Sequence, residues 1–236
     1  MWKKPSVFLS GFILVLASAG TDQVLAKGSK SKSGGVLTGR LTVTAPYRKA
    51  APQAPRGHEG YGYAVPDGSA HSLPEQVVIY LEKVPGKYHP SQKHAQLDQK
   101  YLQFTSRVLP VLKRTVVDFT NHDPVYHNIF SNSQINKLEL GRKKNGETVS
   151  VKMNKAEVPV KLYCDIHSAM KAYILVLENP FFTTVGPDQT FEIKGIPPGT
   201  YDMVAWHDFW TPVRQTVKIR KGKTTTADVV LDKDQN

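Results

Sequence analysis

Short runs in which apolar and polar side chains alternate make up most of the chain. The clearest is Val158, Val160, Leu162 and Cys164, which share one face of a strand because strand side chains alternate. Comparable strands are predicted at residues 36–44, 77–81, 108–112, 115–119, 148–153, 173–177, 190–193, 201–206, 217–219 and 227–231. Turn residues separate them, and no segment shows a sustained helical period. The pattern therefore predicts an all-β protein built from sandwiches.

The first 26 residues have the composition of a secretory signal peptide. Lys3 and Lys4 precede an apolar run over residues 7–17, and Ala26 fits a cleavage site. The run is short for a membrane span, and no other segment is apolar enough to cross a membrane. We therefore expect an exported, periplasmic protein that does not span the membrane. An uncleaved N-terminal anchor is the alternative.

Two stretches lack any hydrophobic period. Residues 27–35 read as a flexible polar lead-in. Residues 45–75, rich in Pro, Gly, Ala and His, are predicted to form a mobile loop. The formal net charge of +11 is compatible with an acidic partner protein or with simple solvation of the surface. Nucleic acid is not an expected partner, because an exported protein would rarely meet it.

Two imidazoles, a thiolate and a thioether come from two short segments. Cys164, the only cysteine, is followed at intervals of three by His167 and Met170, and His127 lies 37 residues before Cys164. Two His, one Cys and a weakly bound axial Met are the ligand set of electron-transfer copper sites. We therefore predict one copper per chain, held by His127, Cys164, His167 and Met170. Asn128 is expected to tie the two ligand loops together by hydrogen bonds.

Other interpretations of these residues stay open on this reasoning. Structural zinc takes Cys and His but rarely Met. A Cys–His nucleophile pair needs an exposed thiolate and an oxyanion hole, for which no motif is visible. Met170 is alternatively a core residue, and His122 is alternatively a ligand. Histidines in polar segments (His58, His71, His89 and His94) are expected to be solvated, and residues 206–210, Trp-His-Asp-Phe-Trp, to pack on a neighbouring element.

Residues 102–179 resemble the plastocyanin-like cupredoxins. The Cys164-x-x-His167-x-x-Met170 spacing is similar to that of amicyanin, and Asn121-x-Asp123-Pro124-x-x-His127-Asn128 resembles a bacterial exported group described as methylamine-utilisation-like. The resemblance implies a Greek-key cupredoxin sandwich over residues 100–178 with a type 1 copper site on the four ligands named above. Ser168-Ala169 departs from the family, in which a Pro commonly follows the His.

The tail resembles the carboxypeptidase regulatory-like, transthyretin-like sandwich. Phe191-x-Ile193-x-x-Ile196-Pro197-Pro198-Gly199-x-Tyr201 carries this resemblance, and residues 39–43 and 77–81 look like the first strands of such a domain. We therefore predict a discontinuous sandwich. Its halves, residues 36–86 and 179–233, would flank the copper domain.

Together these patterns predict a non-enzymatic blue copper protein that transfers single electrons. The expected partner is a cytochrome or a dehydrogenase with an acidic surface, facing the edge of His167. The alternatives are copper delivery without redox turnover and a structural or binding β-sandwich module that has kept the copper fold.

Overall fold

The chain is seen in a computed structural model that describes residues 34–44 and 76–232. The predicted signal peptide and the predicted loop at 45–75 lie outside these ranges. The described residues contain no α-helix, so the predicted all-β class is confirmed. None of them forms a helix with the length and hydropathy needed to traverse a bilayer.

Residues 34–44 and 76–232 form eighteen strands. In chain order they are β1 (Gly35–Val43), β2 (Val78–Leu81), β3 (Ala95–Gln96), β4 (Gln99–Lys100), β5 (Gln103–Phe104), β6 (Val108–Leu112), β7 (Val116–Thr120), β8 (His127–Ser131), β9 (Leu138–Lys143), β10 (Thr148–Lys152), β11 (Glu157–Cys164), β12 (Lys171–Leu177), β13 (Phe182–Thr184), β14 (Thr190–Ile196), β15 (Gly199–Trp206), β16 (Val213–Ile219), β17 (Thr224–Thr226) and β18 (Val229–Leu231).

The first sandwich carries all four predicted ligands. Its larger sheet has the strand order β6-β12-β11-β8-β9, and its smaller sheet has the order β10-β7-β3. The chain leaves the β8–β9 hairpin, crosses to β10 in the opposite sheet and returns as β11 beside β8. This crossing is a Greek-key connection, as predicted. It places the start of β8 and the end of β11 next to each other.

The second sandwich combines strands from the two ends of the described chain. Its sheets have the orders β13-β2-β15-β16 and β14-β1-β17, and β18 also pairs with β1. Strand β2 pairs with β13 and β15, and β1 pairs with β14, β17 and β18. Both early strands thus pair with strands that follow the first sandwich, which is the pairing that a discontinuous sandwich requires. Its transthyretin-like character stays a prediction.

The two sandwiches pack face to face through a third apolar layer. It contains Val78, Tyr80, Val204 and Trp206 from the second sandwich, and Val108, Leu175 and Leu177 from the first. Strand β12 therefore has both faces covered, because its alternate residues Ala172, Ile174 and Val176 belong to the core of the first sandwich. Burial on both faces explains why this strand is a nearly unbroken apolar run.

Seven of the strands were not predicted from the sequence: the two- and three-residue strands β3, β4, β5, β13 and β17, and the longer strands β8 and β9. Strand β8 begins with His127 and Asn128, two polar side chains that are nevertheless buried. Strand β9 contains the charged residues Glu139, Arg142 and Lys143 and forms the edge of its sheet. Buried polar groups and a solvated edge both weaken the alternation from which strands are recognised.

Candidate metal centre

Three of the predicted ligands meet at one end of the first sandwich. Cys164 is the last residue of β11, His127 is the first residue of β8, and the two strands are antiparallel neighbours. His167 follows on the turn after β11. Its Nδ1 lies 2.9 Å from Nδ1 of His127 and 3.7 Å from Sγ of Cys164, and Nδ1 of His127 lies 3.8 Å from the same sulfur. All three side chains are buried.

The triangle of donor atoms fits a transition metal ion. A point equidistant from the two nitrogens and the sulfur lies about 2 Å from each, close to the bond lengths that such ions form with imidazole and thiolate. One thiolate and two imidazoles, shielded from water, form the donor plane that is characteristic of mononuclear copper sites. His127, Cys164 and His167 therefore fit copper in number, chemical type and spacing.

Met170 closes the turn that carries His167. Its backbone N–H donates to the carbonyl of His167 at 2.9 Å, and its side chain is buried in the same apolar cluster as Cys164. Met170 is thus tied to the turn that carries His167 and is buried in the same core as Cys164. Its role as a fourth, axial ligand stays a prediction.

A buried carboxylate orients His127. Nε2 of His127 lies 2.8 Å from Oδ2 of Asp123, and neither side chain is exposed to solvent. An imidazole whose Nε2–H is donated to a carboxylate carries its lone pair on Nδ1, the atom that faces Cys164 and His167. Asp123 therefore selects the tautomer of His127 that can bind a metal.

Asp123 is itself held by backbone groups of the neighbouring loop. Its two carboxylate oxygens accept the N–H groups of Tyr101 at 2.6 Å and Leu102 at 2.9 Å. Both donors have left-handed backbone angles, with φ of 57° and 59°, a conformation that costs about 1–2 kcal/mol per non-glycine residue. The fold maintains this strain at the point where it supplies two hydrogen bonds to the carboxylate.

Asn128 links the two ligand loops, as the sequence predicted. Its Nδ2 donates to Oδ2 of Asp165, the residue after Cys164, at 3.2 Å, and to Oε1 of Glu139 at 2.8 Å. Asn121 stiffens the other end of the loop, because its Oδ1 accepts the N–H of Asp123 at 2.8 Å. The position of His127 is thus defined from both sides before any metal binds.

Burial and hydrogen bonds act in opposite directions on the ionisable groups of the site. Burial raises the pKa of the Cys164 thiol most strongly, but the hydrogen bond with His127 and those from nearby backbone N–H groups outweigh it, so the pKa falls. Burial lowers the pKa of His127, yet Asp123 and Cys164 together raise it. Burial raises the pKa of Asp123, but the hydrogen bonds from His127 and two backbone amides bring that pKa below its usual range. The contacts of the site thus favour the charged forms of these groups, and a metal ion bound there must compete with protons for the same donor atoms.

The structure also shows where other histidines lie relative to the three predicted ligands. His122 is half exposed and lies 3.2 Å from Asp98, outside the three-residue metal group. His94 makes a similar exposed pair with Asp118. His207 is buried, and its Nδ1 accepts the N–H of Phe209 at 3.0 Å. His58 and His71 fall outside the described residues.

His167 is almost fully buried. Its side chain is 3% exposed, whereas Tyr126 and Ile166, each next to a predicted ligand, are 57% and 38% exposed. The exposed residues next to the predicted ligands in the chain are therefore of both kinds, the apolar Tyr126 and Ile166 and the polar Asp165, Ser168 and Lys171. The expectation that the edge of His167 faces a partner stays a prediction.

The sequence reasoning did not assign a role to Asp123 or Asn121. A usable signal was present, since Asp123 stands four residues before His127 in a Pro-containing loop, and a carboxylate is a common partner of a metal-binding imidazole. Spacing alone did not show that the carboxylate would point at Nε2, because loop conformation is decided by the backbone groups of residues 101 and 102.

Comparison with known proteins gives partial likenesses only. A family description, polysaccharide lyase family 4, domain II, matches residues 178–227, where a transthyretin-like sandwich was predicted. None of the curated proteins searched matches the chain. The structure of a reduced amicyanin variant shares 17% sequence identity with this chain, with a TM-score of 0.34. The match covers 36% of this chain and 84% of the amicyanin chain. A copper-containing nitrite reductase from Thermus scotoductus SA-01 is 21% identical with a TM-score of 0.36, over 40% of this chain and 25% of its own.

Proposed function

We propose that this protein is an exported type 1 copper protein that transfers single electrons in the periplasm. The observation that carries the proposal is the buried triangle formed by Nδ1 of His127, Nδ1 of His167 and Sγ of Cys164. A copper ion held there would supply a centre that alternates between Cu(I) and Cu(II). Cys164 would supply the thiolate, His127 and His167 would supply the two imidazoles, and Met170 would add a weaker thioether donor that tunes the potential.

The surroundings of the triangle support electron transfer over copper delivery. His127 is held by Asp123, and the strand that bears it is tied to the Cys164 loop through Asn128. A site whose ligands are fixed by buried hydrogen bonds changes little in shape between oxidation states, which favours rapid electron exchange. A delivery site would instead need ligands that open to release the ion. Four ligands would also leave no open position for a substrate, so we propose no enzymatic activity.

Positive side chains near the ligand segments support an acidic partner, either a cytochrome or a dehydrogenase. Lys100 precedes Tyr101, which binds Asp123, and Lys171 follows Met170, and both are exposed. Arg142, cross-strand from Asn128, is exposed as well. Such charges speed the encounter with a partner of opposite charge and make the rate depend on salt.

An absorption spectrum tests the site directly. Mature protein titrated with Cu(II) should develop an intense visible thiolate-to-copper band that saturates at one copper per chain, and Cys164→Ser should lack the band. His122→Gln is the matched control, because His122 lies near Asp98 and outside the donor triangle, and it should keep the band. A chain that binds no stoichiometric copper would overturn the proposal.

A second measurement separates electron transfer from delivery. The copper-loaded protein should exchange electrons rapidly with a cytochrome and keep its copper in the presence of a Cu(I) chelator. Slow electron exchange together with rapid loss of Cu(I) to the chelator would favour the delivery alternative. Absence of bound metal would favour a structural or binding module.

A further inference from the structure

Arg107 connects the first sandwich to the strand that leaves the ligand turn. Its backbone carbonyl accepts the N–H of Tyr173 at 2.9 Å, just before β6 and β12 begin their parallel ladder at Val108 and Tyr173. Its side chain continues the contact, because Nη1 donates to the carbonyl of Lys171 at 3.2 Å. The first residues of β12 are thus held on this side by one arginine.

The arginine is in turn held by the second sandwich. Nε and Nη2 of Arg107 both donate to Oδ2 of Asp208, at 3.1 and 2.5 Å, and Asp208 lies on the loop after β15. The guanidinium also lies 5.3 Å from the ring centre of Tyr173, which meets Trp206 edge-on. The Asp208 side chain is 8% exposed, so water does not readily replace it as the partner of the guanidinium.

This chain of contacts ends beside the predicted axial ligand. Lys171 follows Met170 directly, and the N–H of Met170 closes the ligand turn on the carbonyl of His167. Lys171 is also paired with Tyr163, the residue before Cys164. A shift of the Lys171 carbonyl would therefore move the Met170 end of the turn, while the other side of β12 stays anchored to β11.

We propose that the second sandwich positions the axial side of the metal centre: Asp208, acting through Arg107, holds the carbonyl of Lys171 and so sets where Met170 lies. Asp208 and Arg107 are positioning residues and touch no ligand atom. The inference rests on the proposed copper site for its functional meaning. The contact itself exists in the metal-free chain and is testable there. It also assigns a role to the second sandwich.

Hydrogen exchange in the metal-free protein tests the link without copper. Asp208→Asn keeps the shape of the side chain and removes its charge, so the amides of Met170 and Tyr173 should exchange about tenfold faster than in the wild type. Glu82→Gln is the matched control, because it breaks another carboxylate–arginine pair of the second sandwich, that with Arg214 at 3.0 Å. The control should leave both amides unchanged, and equal exchange in the two variants would overturn the proposal.

The reduction potential and visible spectrum of the copper-loaded protein would not change if Asp208 served only to stabilise the fold. Loosening a weak axial donor costs the more highly charged oxidised ion more than the reduced ion, so Asp208→Asn should raise the reduction potential and alter the relative intensity of the visible bands. Copper stoichiometry should stay at one. Potential and spectrum identical to those of Glu82→Gln would contradict the proposal.

Two safeguards keep the outcomes distinct. If Asp208→Asn unfolds the second sandwich, Arg107→Gln removes the same link from the other side and should reproduce the faster exchange, whereas unchanged exchange in this variant would refute the link. If the wild-type chain binds no copper, the proposed function fails, and the exchange comparison alone decides whether Asp208 holds the ligand turn.

Discussion

Replacing Asp123 by Asn isolates the part of the site that the buried carboxylate controls. The substitution keeps the size of the side chain but removes the negative charge that receives Nε2 of His127. It also replaces one of two acceptor oxygens by a donor, so Tyr101 or Leu102 loses the acceptor for its N–H. The change therefore acts on the metal affinity and, separately, on the stability of the metal-free fold.

Both magnitudes follow from the contacts. Loss of a carboxylate behind a metal-binding imidazole lowers metal affinity about 10- to 100-fold, which is about 1.4–2.8 kcal/mol. A buried amide left without its charged acceptor costs the metal-free protein about 1–3 kcal/mol. Because a nearby negative charge stabilises Cu(II) more than Cu(I), Asp123→Asn should also raise the reduction potential.

Competitive copper titration, with urea unfolding of the metal-free protein, measures the two effects. Asp98→Asn is the matched control, because Asp98 also accepts a backbone N–H, that of Thr120, and also lies near a histidine, 3.2 Å from His122. The pair of Asp98 and His122 is partly exposed and lies outside the donor triangle. Its copper affinity should stay within about twofold of the wild type. Equal affinities for Asp123→Asn and Asp98→Asn would refute the reasoning.

Three further predictions concern stability. Burial is the main cause that lowers the pKa of His207 to about 4. The neutral side chain therefore contributes its full stabilisation above the unfolded pKa near 6.5, and about 3 kcal/mol of it is lost as the pH falls toward 4. His207→Gln should reduce that acid loss in urea unfolding at pH 7 and 4.5, and an equal loss in both proteins would contradict this. Leu175→Ala should cost about 2–5 kcal/mol by calorimetry, against under about 0.5 for the exposed Val230→Ala, because Leu175 is fully buried between the sandwiches; similar costs would be contrary evidence. Gly39→Ala should destabilise by about 3 kcal/mol in thermal unfolding, since its Cβ would lie 2.1 Å from the carbonyl oxygen of Ala227; an unchanged melting temperature would show that the strands can separate there.

Local sequence patterns were sufficient to predict a strand wherever buried and exposed positions alternate regularly along the chain. Strand β11 was recognised because Val160, Leu162 and Cys164 alternate with more exposed side chains on a sheet that buries one face. Val158, which was expected on the same face, is 38% exposed because the register shifts between Glu157 and Val160. The donors Cys164 and His167 were recognised because a single tight turn joins them. The same reasoning missed β8, since its first two residues are polar groups buried for their chemistry.

Contacts between distant segments required the tertiary structure. The carboxylate of Asp123 reaches His127 only because backbone amides of residues 101 and 102 hold it in place. The side chain of His167 is 3% exposed, an extent of burial that its loop position did not indicate. Asp208 meets Arg107 across 101 positions of sequence, and no periodicity encodes such a pair.

By itself the sequence determined the β class and singled out His127, Cys164 and His167 as one predicted metal-binding group, because alternation and residue spacing are local properties of the chain. The packing of the second sandwich on β12, the tautomer of His127 and the surface that remains open near the ligands were decided by the tertiary structure. These depend on which faces and which oxygen atoms are brought together, and the free energies of burial and hydrogen bonding that choose among them arise only when the layers pack.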